Sequence, residues 1–423
     1  MITLQPELEV DLVCPRCSGR LEPLGWTIPG MRTLADLACE GCGRRFFGDL
    51  PSGFGLMYPC LIDQDSGEVY DPYGGRWFAE WLAAAWRARG SAALPLEVES
   101  AREPVRPVLL NCLDGLYGHS LLKLLNAQYY LDRTPEHDLV IMVTPALRWL
   151  VPDGVAEVWV LDVDAAQARG WSDWLANQVA DRFGAFEELS LSLAVPHPDP
   201  SDYALERFTR VEPRETGSAV GEPPVVTFAW RSDRKWRPLA AGGSERRAIE
   251  GLVRRLKRRL GEVDFALCGV GEPGGIGGVR DLRSDTVSSD LELEWCRRYA
   301  ASDVVLGIHG SNMLLPSGHA PAAIELVPDG RLGNVAQSLL PRADDLRDAL
   351  FRYRLLPASS SPAAVARVVE TLIRYRGHAA VTFGRRWTDH RVLARDPNSL
   401  RRARLGRNAS EPVAQSKSSG TSR

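Results

Sequence analysis

Residues Asp303–Pro328, DVVLGIHGSNMLLPSGHAPAAIELVP, decide the fold. Val304-Val305-Leu306-Gly307-Ile308 has no interior charge, which is the pattern of a strand buried on both faces, as in a parallel sheet. The small, polar run His309-Gly310-Ser311-Asn312 breaks it, and Met313-Leu314-Leu315 opens a short helix. A second strand, Ala323–Val327, ends at Pro328. Strand, small-residue turn, helix start, strand is how an open α/β sheet presents free N–H groups to an anion at its carboxyl edge. Ser311 or Asn312 is placed to cap that helix. Phosphate is the expected ligand.

The same alternation recurs on both sides of this stretch. Upstream, Val108–Cys112, Leu139–Val143, Glu157–Leu161 and Leu189–Val195 read as strands separated by helices at His119–Leu131, Pro145–Leu150 and Trp171–Phe183. Beyond a polar Gly/Pro linker from Glu212 to Pro224 come a strand at Val225–Trp230, a basic helix capped by Ser244, and a strand at Val263–Cys268. A helix over Leu291–Ser302 then leads into Asp303. Strands alternating with helices predict parallel sheets. The expected units are 76–211 and 222–380, both Rossmann-like.

The N-terminal 75 residues differ. Cys14-Pro-Arg-Cys17 and Cys39-Glu-Gly-Cys42 are paired C-x2-C knuckles 21 residues apart. Four thiolates complete a tetrahedral Zn²⁺ shell and leave no position for water, so a structural zinc ribbon over 1–75 is expected. Its basic and acidic residues balance, which favours a protein-facing role over nucleic acid. Trp77, Trp81 and Trp86 fall on one helical face and read as a packing surface.

The bulk numbers are those of a globular protein: 44% hydrophobic, 25% charged and net charge −3. No nucleic-acid partner is expected from that charge. No segment reaches membrane-span length, and MITLQPELEVDLVC lacks a secretory pattern. With Cys60, Cys112, Cys268 and Cys296 scattered, a reducing cytoplasmic compartment is expected. Residues 381–423 form a basic segment and tail: from Arg374 to Arg407 ten arginines face only Asp389 and Asp396.

Several residues carry possible chemistry. Tyr117-Gly118-His119 follows a strand and opens a helix, so His119 is either a general base or a helix-start residue. Asp114 precedes it in the same turn. Arg231, Arg234, Lys235 and Arg237 put four cations after one strand. Asp162-Val-Asp164 imitates a metal-binding pair. Gly269-Val-Gly271-Glu-Pro-Gly274 satisfies G-x-G-x-x-G, but Pro273 and the following glycines argue for a flexible loop.

GIHGSNMLLPSG…AIELVP resembles the signature of glycosyltransferase family 61, which runs roughly G-x-H-G-A-G-L-T-N, apolar helix, P-G, v-I-E-l. Ser311 stands where the family has Ala, and the Gly-Leu-Thr before Asn is missing, which shortens the loop. Tyr117-Gly118-His119 is similar to the family's G-H-W segment, and Arg231 with Arg234 or Arg237 to its arginine turn. The resemblance implies two facing Rossmann-like domains, the GT-B arrangement. It implies an inverting glycosyltransferase, metal-independent at its centre, that moves sugar from a nucleotide sugar (UDP-sugar) to a glycan or other hydroxyl acceptor. His119 or Asp114 then serves as base. Arg231, Arg234, Arg237, His309, Gly310, Ser311 and Asn312 hold the donor, and Glu325 is a ribose ligand or a buried structural partner. The rival readings are a non-catalytic zinc-ribbon scaffold with a degenerate core, and a metal-dependent transferase using Asp162 and Asp164.

Overall fold

A computed structural model describes residues 1–214, 222–236, 244–342 and 346–383, with side chains through 376. Arg237, most of the interdomain linker and the basic tail lie outside the described residues.

Three sheets account for the fold. Leu21–Thr27, Leu34–Cys39, Arg45–Asp49, Leu61–Asp63 and Val69–Tyr70 form an antiparallel meander with neighbours in chain order. Alternation drives it: Leu37 and Phe46 point inward and are fully buried, while Arg45 faces water. This sheet is not a separate bead. Its core is continuous with that of the next sheet, and Trp86 links them by packing edge-on against both Phe47 and Trp171. The tryptophan face of helix Arg76–Arg87 is thus a packing surface, although Trp77 and Trp81 also border the site described below.

The second sheet runs Ile2–Gln5, Leu189–Leu191, Pro107–Asn111, Asp138–Val143, Glu157–Leu161, Leu96–Ser100. Its four inner strands are parallel and its two edges antiparallel. The third is wholly parallel, in the order Arg280–Ser284, Asp264–Val270, Val225–Trp230, Val304–Ile308, Ala323–Val327, Tyr353–Pro357. Numbered along the chain that order is 3-2-1-4-5-6, so the winding reverses between Val225–Trp230 and Val304–Ile308. Ligands of such sheets collect beyond the carboxyl ends of those two strands.

Helices Glu245–Leu260 and Pro362–Phe383 cover one face of the third sheet through Ile249, Leu252, Val365 and Val369. Helix Ser289–Ala301 covers the other with Trp295 and Tyr299. The two α/β sheets also share buried surface: Leu121 and Leu125 of the second sheet's helix belong to one core with Cys296, Leu314 and Leu315.

Some elements differ from the sequence reading. The helix expected over 119–131 is two, Tyr117–Leu125 and Ala127–Arg133, separated at Asn126. The strand expected over 189–195 keeps three residues, Leu189–Leu191. Strands Leu96–Ser100, Arg280–Ser284 and Tyr353–Pro357 escaped notice because edge strands need no apolar run. The Gly269–Gly274 segment does run into a loop without a helix, but it is tethered, with Gly274 bonded to Asp281 and Arg283.

Candidate functional site

At the switch point the turn after Val225–Trp230 meets the turn after Val304–Ile308. Arg231 Nη1 donates to the His309 carbonyl (2.9 Å) and to Asn312 Oδ1 (3.0 Å), and Arg234 Nη1 donates to the same carbonyl (2.8 Å). The close approach demands glycine at 310. Its φ is +143°, and a Cβ there would lie 1.8 Å from Arg231 Nη1. Arg231 also forks onto Asp233, with Nε to Oδ1 at 2.5 Å and Nη2 to Oδ2 at 2.6 Å. That fork holds the Asp233 carboxyl below its usual range. Arg231 therefore spends nearly all its donors on the protein. Arg234 spends one, and burial together with Arg231 and Arg331 pushes its guanidinium down. Cations crowded this way favour an anion beside them.

The expected helix cap is absent. Ser311–Met313 is a turn of 3-10 helix, Leu314–His319 follows it, and neither Ser311 nor Asn312 caps with its side chain. Asn312 instead receives Arg231 and donates to the Ala229 carbonyl at 3.4 Å. A six-residue helix contributes little dipole, so the guanidinium groups supply the positive charge here.

His309 is almost fully buried, its Nδ1 3.2 Å from both Glu325 Oε1 and Ser338 Oγ. Ser338 gives its hydroxyl hydrogen to Glu325, so Nδ1–H of the imidazole donates to the oxygens beside it. Glu325 is fully buried behind the histidine, where it orients the ring and does not face the cleft.

A second carboxylate–imidazole pair lies on the other sheet. His119 Nδ1 is 3.2 Å from Asp114 Oδ1, and Lys123 Nζ is 2.8 Å from Oδ2. Burial opposes the Asp114 charge, but Lys123 and His119 outweigh it and hold the carboxyl at about 2. Asp114 is thus a buried anion that accepts from His119 Nδ1–H, which leaves Nε2 as the outer nitrogen of the ring. The imidazole is one-quarter exposed and packs against Phe54 (ring centroids 4.4 Å) and Trp77 (6.3 Å). The two turns touch: a Cβ on Gly118 would lie 2.5 Å from the Ser311 Cβ, so only glycine lets the His119 helix abut the His309 loop.

Beside this contact is a cavity of about 710 Å³ lined by both halves, including Tyr117, Trp230, Arg231, Asn312, Trp295 and Glu292. His119, Arg234 and His309 are not among its walls. Helical geometry explains the first: Tyr117 and His119 are two positions apart, about 200° around the axis, and face opposite sides. Glu292 accepts from Trp149 Nε1 (2.8 Å) and Tyr117 OH (3.3 Å), and burial pushes its carboxyl up. Sequence reasoning passed over Glu292, Trp230 and Ser338. No local motif marks them, although Glu292 lies three residues into a helix that opens at a strand end.

The aspartate pair and the cysteines lie apart from this region. Asp164 is the N-cap of helix Ala165–Ala168, receiving Gln167 N at 2.8 Å, so its carboxylate is already committed. Among the described residues neither it nor Asp162 joins a group of three potential metal ligands. Cys14, Cys17, Cys39 and Cys42 do form such a group, all four Sγ atoms lying within 4.8 Å of one another. The Cys14–Cys42 and Cys17–Cys39 separations are 3.8 and 3.4 Å. A tetrahedral Zn–S shell with bonds near ~2.3 Å requires about 3.8 Å between sulfurs, so the cluster fits a metal ion. A Cβ on Gly19 would come within 3.2 Å of Cys39 Sγ.

No family model matches the chain, and no curated protein matches it. Among solved structures, the chain is similar to the dodecameric iron-containing heptosyltransferase TibC in complex with ADP-D-beta-D-heptose. The identity is 11%, the TM-score 0.31, and the match covers 68% of this chain and 81% of that one. A second TibC structure, from enterotoxigenic E. coli H10407, gives 13% identity and TM-score 0.25 over 75% and 79%. The GtfA/B complex gives 11% and 0.23 over 83% and 67%. No helix among the described residues is long and apolar enough to cross a membrane.

Proposed function

We propose that the chain is an inverting glycosyltransferase of the GT-B arrangement that uses a nucleotide-sugar donor and no catalytic metal. The observation that carries this reading is the meeting of Arg231 and Arg234 on the His309 carbonyl at the switch point, with the Gly118–His119 turn pressed against Ser311. Arg231 braces the loop. Arg234, with donors to spare, takes the diphosphate and neutralises the charge that builds on it as the glycosidic bond breaks. His119 Nε2, poised by Asp114, removes the acceptor hydroxyl's proton. Phe54, Trp77 and Trp81 beside it offer ring faces to an acceptor glycan. The four cysteines hold a structural Zn²⁺ that fixes the antiparallel meander, whose strands Arg45–Asp49 and Leu61–Asp63 flank the 3-10 turn carrying Phe54.

The test is turnover of a panel of nucleotide sugars in EDTA, with Zn²⁺ and Mn²⁺ added back. Persistent turnover that Arg234→Ala abolishes is the expected result. Loss of turnover restored only by Mn²⁺ would favour Asp162 and a catalytic metal. No turnover and no nucleotide binding would favour a scaffold.

A further inference from the structure

Glu292 lines the interdomain cavity, and the proposed transfer gives it no role. It stands in the same chamber as Arg231 and Asn312, at the carboxyl ends of Val225–Trp230 and Asp264–Val270. A volume of about 710 Å³ is suited to a ligand of nucleotide size. Flat apolar surfaces line it: Trp230, whose other neighbour is the Arg283 guanidinium 4.4 Å over the ring, together with Trp295 and Val270. A planar base packs well in such a space, and its polar edge must then be satisfied.

The chemistry of that edge is set by Glu292. Only neutral groups bind it, the Trp149 indole on Oε2 and the Tyr117 hydroxyl on Oε1. No cation among the described residues pairs with it, and each oxygen retains a lone pair. Both oxygens already accept, from an indole N–H and a phenol O–H, and the lone pairs they keep can accept again, so Glu292 selects a base with two N–H groups side by side. Guanine has them at N1 and N2. Uracil flanks its single N–H with carbonyls, and adenine and cytosine set an acceptor next to their amino groups. We infer that Glu292 reads the base of the donor nucleotide and that this base is guanine. The inference rests on the nucleotide-sugar reading above and departs from the UDP-sugar implied by the family resemblance.

Calorimetric titration of the full chain with GDP, IDP, ADP, CDP and UDP tests it. GDP is expected to bind most tightly. IDP, which lacks the N2 amino group, should bind about tenfold more weakly, the value of one hydrogen bond to a charged acceptor. Glu292→Gln should bring the GDP:IDP ratio close to one, whereas Arg234→Ala should weaken all five alike. Because Glu292 also ties the two halves together, the wild-type GDP:IDP comparison decides the matter if the variant fails to fold. Equal GDP and IDP affinities, or UDP binding as tightly as GDP, would overturn the base assignment. If Arg234 dependence persisted in that case, the transferase reading would stand. Failure of every diphosphate to bind would overturn both.

Discussion

Replacing Gly310 by alanine isolates the contact on which the switch-point site depends. The residue sits at φ +143° and ψ 179°, a region that only glycine occupies without strain. Holding alanine there costs about 1–3 kcal/mol. The new methyl would also stand 1.8 Å from Arg231 Nη1, roughly half a normal van der Waals separation. Arg231 cannot simply swing aside, because it is fixed by His309, Asn312 and Asp233. Displacing it leaves partly buried acceptors unsatisfied, at about 1–3 kcal/mol more. The sum, about 2–6 kcal/mol, should lower the melting temperature by about 5–15 °C. The assay is calorimetry with and without saturating GDP, with Gly277→Ala as control, since a Cβ at Gly277 meets nothing within 4 Å. Gly310→Ala should also lose the nucleotide-induced shift. A variant that melts within about 2 °C of wild type and responds equally to GDP would show that Arg231 and the His309 loop do not depend on glycine at 310.

Three further outcomes follow from other parts of the molecule. His319 is buried, accepts from Thr209 and donates to the Leu315 carbonyl, and burial lowers its pKa from 6.5 to about 4. The unfolded chain therefore takes up a proton below pH 6.5 that the folded chain refuses until about 4, and stability falls across that window as pH drops. At about 1.4 kcal/mol per pH unit the loss comes to about 3 kcal/mol, and urea midpoints at pH 7 and pH 4.5 should show it reduced in His319→Gln. Lys123→Met removes the ammonium from buried Asp114 and leaves it only the His119 contact, which should cost about 3–5 kcal/mol by chemical denaturation, partly recovered in Lys123→Met/Asp114→Asn. Metal analysis should find one zinc per chain, and Cys14→Ser should release it and destabilise the protein; a metal-free, equally stable wild type would contradict the cluster's fit.

The chain's own pattern was enough to announce parallel α/β sheets and a cysteine cluster. Uninterrupted apolar runs such as Val304–Ile308 have no stable place except inside a parallel sheet, and paired C-x2-C knuckles carry their geometry locally. The two arginines and the His309 turn were legible for a similar reason, since residues that follow buried strands must emerge at the carboxyl edge. Sequence could not say how those residues divide their labour. Arg231 spends two donors on Asn312 and His309, and Glu325 lies behind the imidazole, because partners some 80 and 16 residues away arrive there only when the sheet closes. Glu292 shows the limit best. Its partners Tyr117 and Trp149 belong to the other half of the molecule, and packing the two halves together is what turns an ordinary helical glutamate into a half-buried carboxyl facing a cavity.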